Sequence, residues 1–282
     1  MSPQLSRDTT ATELVTEYGE HIKGKTILVT GVSPGGLGAT FVEKVAAASP
    51  ATLILAGRNT AKIQQTIDAI VAAHPSVTIK SLQVDLGSFK SVRTAADTVI
   101  GWDDVSKIDV LVNNSGIMAT PFTLTEDGFE SQWETNHLGP FLFTNLIIEK
   151  VLAAPAPRII MVSSDGHRLG HIRWTDYNFN DGKHYNPWFA YGQSKTANCL
   201  MAISLAEKLG GRGLLSFSLH PGVIMTNLAD NSADFESLRA QDVNMGTKFM
   251  WSEFNFKTND QGAATHVFAA FSPDIKGKFA PE

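Results

Sequence analysis

Short apolar runs alternate along the chain with longer stretches whose apolar positions recur at helical spacing. The runs "KTILVTG" (25–31), "ATLILAGR" (51–58), "VTIKSLQVDL" (77–86), "KIDVLVNNSG" (107–116), "PRIIMVSS" (157–164) and "GLLSFSLHPG" (213–222) read as six strands. Between them the pattern predicts helices over 37–48, 60–74, 88–102, 126–152 and 189–209, with a last one over 260–271. Strand–helix alternation of this kind builds a parallel sheet covered on both faces by right-handed crossovers. The expectation is an α/β, doubly wound, Rossmann-type single domain over 1–282, with 1–24 as an N-terminal extension. Residues 227–260 have little periodicity, and neither a repeat nor a low-complexity linker interrupts the chain.

Composition narrows the function classes. The chain has 282 residues, is 43% hydrophobic and 18% charged, and carries a formal net charge of −5, values ordinary for a globular protein. No basic run suggests nucleic acid or a membrane surface as partner, and no apolar run reaches the ~20 residues of a membrane helix. The first 25 residues hold no signal-peptide core, and one cysteine, Cys199, rules out an internal disulfide, so a reducing, cytoplasmic setting is expected.

Candidate chemistry begins at "TGVSPGGLG" (30–38), a glycine-rich turn that follows the first strand and opens a helix. Glycines there permit a tight turn and let backbone approach a pyrophosphate at the positive helix end. Gly31, Ser33, Gly36, Leu37 and Gly38 are the loop residues expected against a dinucleotide, with the choice between Gly35 and Gly36 left open. The second strand ends in Gly57-Arg58 where an NAD site would carry an acid. Arg58, with Lys62 one turn into the next helix, therefore points to the 2′-phosphate of NADP. Asp85 and Leu86 close the third strand, and Asn113 and Gly116 lie in "NNSG" at the end of the fourth, where ligands of such sheets bind.

In "WFAYGQSKTANCL", Tyr191 and Lys195 are four apart on a helix and share a face. An ammonium beside a phenol favours the phenolate, which predicts a tyrosine acidic enough for acid/base work. The spacing also arises by accident on half-exposed helices. His167 and His171 flank Gly170 in a loop with no carboxylate cluster, so no metal site is expected.

Taken in order, the glycine loop, Asp85-Leu86, "NNSG", Asn136 in "ETNHLGPFLFT", Ser163-Ser164, "YGQSK" and "HPGVIMT" resemble the short-chain dehydrogenase/reductase family over nearly the whole chain, most of all its retinol-dehydrogenase-like branch and fungal relatives. The resemblance implies Tyr191 as acid/base, Lys195 as its partner and a ligand of the nicotinamide ribose, and Ser164 at the substrate oxygen, with Ser163 the alternative. It implies Asn136 at a relay water, and Pro221, Gly222, Val223 and Thr226 along the nicotinamide and its phosphates. It also implies a seventh strand near "IKGKFAPE", expected here to be short or absent, and an insertion over 165–190 forming part of the active-site rim. The aromatics of that insertion either line a substrate pocket or seal it against the sheet. Residues 227–260, with Phe249, Met250, Trp251, Phe254 and Phe256, read as a substrate lid or as core. The helix over 126–152 is apolar enough for the core or for a homodimer contact of the kind family members make. The functional expectation is an NADP-dependent oxidoreductase interconverting an alcohol and a carbonyl on an apolar small molecule. The rival is an NADP-binding sensor or scaffold without turnover.

Overall fold

Apolar runs flanked by turn residues become the six strands of one parallel sheet. The computed structural model describes residues 5–228, 239–240 and 256–275. Its strands are β1 (Thr26–Thr30), β2 (Thr52–Gly57), β3 (Thr78–Gln83), β4 (Val110–Asn113), β5 (Arg158–Val162) and β6 (Leu215–Leu219), in the spatial order β3-β2-β1-β4-β5-β6. Every pairing is parallel. Because successive side chains of β1 point to opposite faces, Ile27 and Val29 enter one core while Leu28 enters the other. Both faces are buried, which is why β1 reads as an unbroken apolar run.

Helices α3 (Leu37–Ala46), α4 (Thr60–Ala73), α5 (Phe89–Ile100) and the long α9 (Pro187–Leu209) supply crossovers, and α10 (Asn259–Phe271) packs on α3. In the first core Phe41 of α3 stacks on Phe271 of α10 with ring centroids 6.2 Å apart. The second core gathers Ile54, Leu111 and Phe143 from strands and helix with Met201 of α9. Strand order reverses between β1 and β4, so loops leaving their carboxyl ends diverge and open a crevice there.

One expectation is corrected, and the N-terminal extension contains elements that the pattern does not predict. The single helix over 126–152 is instead α6 (Ser131–Trp133), a π-helical turn (Glu134–Leu138), α7 (Gly139–Leu146) and α8 (Ile148–Leu152). Gly128 at φ +83° and an antiparallel bridge between Leu124 and Glu130 hold the preceding residues out of the helix. The Gly139 N–H bonds the Glu134 carbonyl five residues back, and Pro140 has no N–H with which to restore the ordinary ladder. The N-terminal extension is also more than a tail. It forms α1 (Ala11–Glu17) and α2 (Gly19–Ile22), begun by a reciprocal cap between Thr10 and Glu13, and α1 packs on α10.

Most of the 227–260 segment, including Phe249, Met250, Trp251 and Phe254, and residues 276–282 of the expected seventh strand lie outside the described residues. Among the described residues no helix is long and apolar enough to cross a membrane. Phe41 is fully buried in the first core, so Phe41→Ala should lower the free energy of unfolding by about 3–5 kcal/mol, measured by urea denaturation.

Candidate active site

The strand ends at the carboxyl edge of the sheet surround one cavity of about 800 Å³. From the β1–α3 turn come Gly31, Ser33, Gly36 and Leu37, and from the β2 end Arg58 and Lys62. The β3 end supplies Asp85 and Leu86, and the loop after β4 supplies Gly116. Ser163 and Ser164 follow β5, while Pro221, Gly222, Val223 and Thr226 follow β6. Tyr191 and Lys195 reach the same space from α9.

Parts of the wall suit a dinucleotide. Gly36 caps α3 and, among the described residues, no side-chain cap bonds the first-turn amides, so the helix N-terminus opens on the cavity. A Cβ at Gly31 would stand 2.8 Å from the Ser115 Cα, so only glycine fits that close approach. Arg58 and Lys62 at the β2 end provide two cations, and the Arg58 guanidinium lies 3.7 Å from the Asp85 carboxylate. Asp85 itself closes its turn by accepting from the Gly87 N–H at 3.0 Å.

Three expected residues stand elsewhere. Asn113 faces away from the cavity: its amide donates to Thr144 Oγ1 at 2.9 Å and contacts Met161 Sδ at 3.2 Å. Alternation at the end of β4 turns the neighbouring Asn114 to the site instead, where its amide donates to the carbonyls of Thr30 and Gly31 at 2.9 and 3.0 Å. Gly38 sits behind the loop. A Cβ there would lie 2.4 Å from the Gly31 carbonyl, so this glycine allows α3 to pack on the strand turn. Asn136, expected at a relay water, does not line the cavity and is fully buried inside the π-helical turn. Its carbonyl oxygen accepts from the Ile117 N–H at 2.8 Å, and its amide donates to the Ile117 carbonyl at 2.9 Å and to Ser194 Oγ at 3.0 Å. That carboxamide therefore fixes the loop after β4 against α9.

Ser164 and Ser163 separate by role. Ser163 Oγ donates to the Lys195 carbonyl at 2.8 Å and lies 3.2 Å from Cys199 Sγ, which ties β5 to α9. Ser164 caps the 3₁₀ turn Asp165–Leu169, accepts from the Gly166 N–H at 3.0 Å, and hydrogen-bonds the Tyr191 phenol. Of the insertion aromatics, Trp188 lines the cavity, edge-on to Tyr191 at 6.5 Å. Tyr177 stacks on Trp133 and Phe179 is buried, so these two seal the insertion. Trp174 is exposed.

The electrostatics differ from the expectation of an acidic phenol. Lys195 Nζ lies 5.5 Å from the centre of the Tyr191 ring and donates to the Val162 carbonyl at 3.1 Å. Tyr191 and Lys195 are 4% and 3% exposed. Burial pushes the phenol up to about 12, against a hydrogen bond from Ser164 that pulls the other way. Burial also draws the ammonium down to about 8. Each charge loses more by leaving water than it recovers from the other at that separation. The phenol thus holds its proton at neutral pH.

Comparison with known proteins agrees with this architecture. The family model described as short chain dehydrogenase matches residues 25–178. A Brassica napus protein named short-chain dehydrogenase TIC 32 B, chloroplastic, is 36% identical, covering 90% of this chain and 78% of its own. Mouse retinol dehydrogenase 12 is 32% identical over 90% of this chain and 76% of its own, and the Penicillium roqueforti short-chain dehydrogenase/reductase prx1 is 35% identical over 92% and 73%. Among solved structures, an uncharacterized Mycobacterium paratuberculosis protein has a TM-score of 0.66 at 34% identity, covering 89% of this chain and 77% of its own. A Burkholderia cenocepacia short chain dehydrogenase in complex with NADP also has a TM-score of 0.66, at 24% identity over 89% and 92%.

The buried ammonium makes a stability prediction independent of turnover. Below about pH 8 Lys195 is charged in both the folded and unfolded protein, and folding must desolvate that charge. Lys195→Met should therefore unfold at higher temperature than wild type at pH 7, by about 1–3 kcal/mol of added stability. Above about pH 8 the folded protein sheds the proton while the unfolded chain retains it, so the wild type gains and the gap should narrow toward pH 10.5. Thermal melts across that range check both the sign and the window.

Proposed function

The chain belongs to the short-chain dehydrogenase family, and we propose that it is an NADP-dependent oxidoreductase interconverting an alcohol and a carbonyl on a fairly apolar small molecule. One observation carries the reading: Tyr191, Lys195 and Ser164 converge on the same cavity as an open helix N-terminus and the Arg58–Lys62 cation pair. Gly31, Ser33, Gly36, Leu37, Asp85, Leu86, Gly116 and the stretch from Pro221 to Thr226 would hold the dinucleotide, with Arg58 and Lys62 at its 2′-phosphate. Ile117, Met118, Leu169 and Trp188 give the remaining wall an apolar character suited to an uncharged substrate. Relatives named retinol dehydrogenases support an alcohol of that kind.

When bound, the cofactor supplies or accepts the hydride. The protein's own groups manage the proton. Tyr191 Oη, protonated at neutral pH, donates to the substrate oxygen as negative charge builds there, and the Ser164 hydroxyl stabilises the same oxygen. As the phenol loses its proton, the Lys195 ammonium favours the phenolate left behind. Val162 fixes that ammonium by accepting from it, and Asn136 with Ser194 holds α9 in register with the loop after β4. In the oxidative direction the same phenol takes the proton back.

Two measurements test this. Following NADPH absorbance with a panel of aldehydes, ketones and quinones, Tyr191→Phe should cut kcat/KM about 1,000-fold. Equal turnover by the two proteins would remove Tyr191 from the reaction, and NADPH binding without reduction of any carbonyl would favour a sensor. Arg58→Asp should lower the NADPH-over-NADH preference about 100-fold, and an unchanged ratio would remove Arg58 from the phosphate site.

A further inference from the structure

In the glycine loop Gly35 and Gly36 stand where the family resemblance implies a single glycine, and the geometry shows how the additional residue is accommodated. Ser33, Pro34, Gly35 and Gly36 form a type II turn. The Gly36 N–H bonds the Ser33 carbonyl at 3.1 Å, proline occupies the second position, and Gly35 at the third has φ +79°. Type I and type II turns differ by a flip of the central peptide, here Pro34–Gly35, so whatever bonds that peptide selects between them.

One carboxamide from the C-terminal part of the chain bonds that peptide, and a second bonds the peptide that follows it, Gly35–Gly36. Asn227 Nδ2 donates to the Pro34 carbonyl at 2.9 Å, and Asn259 Nδ2 donates to the Gly35 carbonyl at 3.0 Å. Oxygens engaged in this way are not presented to an anion at the N-terminus of α3. Asn259 is itself well anchored. The next residue, Asp260, accepts from the Thr12 N–H and hydroxyl at 3.0 and 2.7 Å and pairs with Lys44 at 3.3 Å, fixing the start of α10 to both α1 and α3. Gly35 is held to glycine by its φ of +79° and not by space, since a Cβ there would stand 3.4 Å from Asn227 Oδ1, an ordinary contact.

We propose that Asn227 and Asn259 are positioning residues for the cofactor, a two-amide clamp that keeps the glycine turn in the orientation that receives a dinucleotide pyrophosphate. This rests on the cofactor reading given above. Both carboxamides bond the glycine turn, whereas Arg58 and Lys62 come from the β2 end, so the clamp acts on what NADPH and NADH share.

The test is fluorescence titration of the full-length protein with NADPH and with NADH. Asn227→Ala and Asn259→Ala should each raise Kd about fivefold, and the double variant more than tenfold. NADPH and NADH should suffer by the same factor, and the KM for cofactor should rise more than kcat falls. Asn227→Asp and Asn259→Asp keep the shape but lose the donor and add negative charge, so they should bind more weakly than the alanine variants. Wild-type Kd values in the alanine variants, or aspartate variants that bind as wild type, would overturn the clamp. A wild-type protein that binds neither dinucleotide would instead overturn the cofactor reading.

Discussion

Placing the Lys195 ammonium out of water, beside an equally buried phenol, is the constraint around which the carboxyl edge of the sheet is organised. A buried charge is tolerated only where polar groups meet it, and here the Val162 carbonyl at the end of β5 accepts from Nζ. The same helix segment is bound to the sheet by Ser163, which donates to the Lys195 carbonyl, and by Asn198, which donates to Val162 at 3.3 Å. Asn136 and Ser194 add a third tie, from the π-helical turn. These ties set α9 beside the end of β5, where Tyr191 and Ser164 line the same cavity.

The fold was largely legible because its signals are local and repeated. Runs such as "TILVT" and "TLILAG" have apolar residues on both faces, which only a doubly covered strand requires. The helix over 126–152 was misread because its apolar pattern continues through a π turn that depends on Pro140 and on the Gly139–Glu134 bond, features that hydrophobic periodicity does not register. The helices α1 and α2 were missed for a different reason. The surface that α1 covers belongs to α10, almost 250 residues later, as the bond from Thr12 to Asp260 illustrates.

The site was legible in its residue types and less so in their directions. "NNSG" marks the end of β4, but which asparagine faces the cavity depends on pleat phase, and it is Asn114. The bonds that Asn136 makes to Ile117 and Ser194 carry no local pattern either. The clamp from Asn227 and Asn259 links positions some 190–220 residues from the glycine loop and carries no local pattern. The phenol's acidity was misjudged because helical spacing conveys proximity but not burial. At these depths desolvation outweighs the attraction that the spacing suggests.

The central claim concerns a proton held on a buried phenol, and it can be observed directly. Protein labelled with ¹³Cζ-tyrosine would be titrated by NMR, with the Tyr191 resonance assigned by its absence in Tyr191→Phe. The account predicts that this resonance stays at its protonated position beyond pH 10, consistent with ionisation near 12. A Tyr191 resonance that titrates below pH 10 would contradict it.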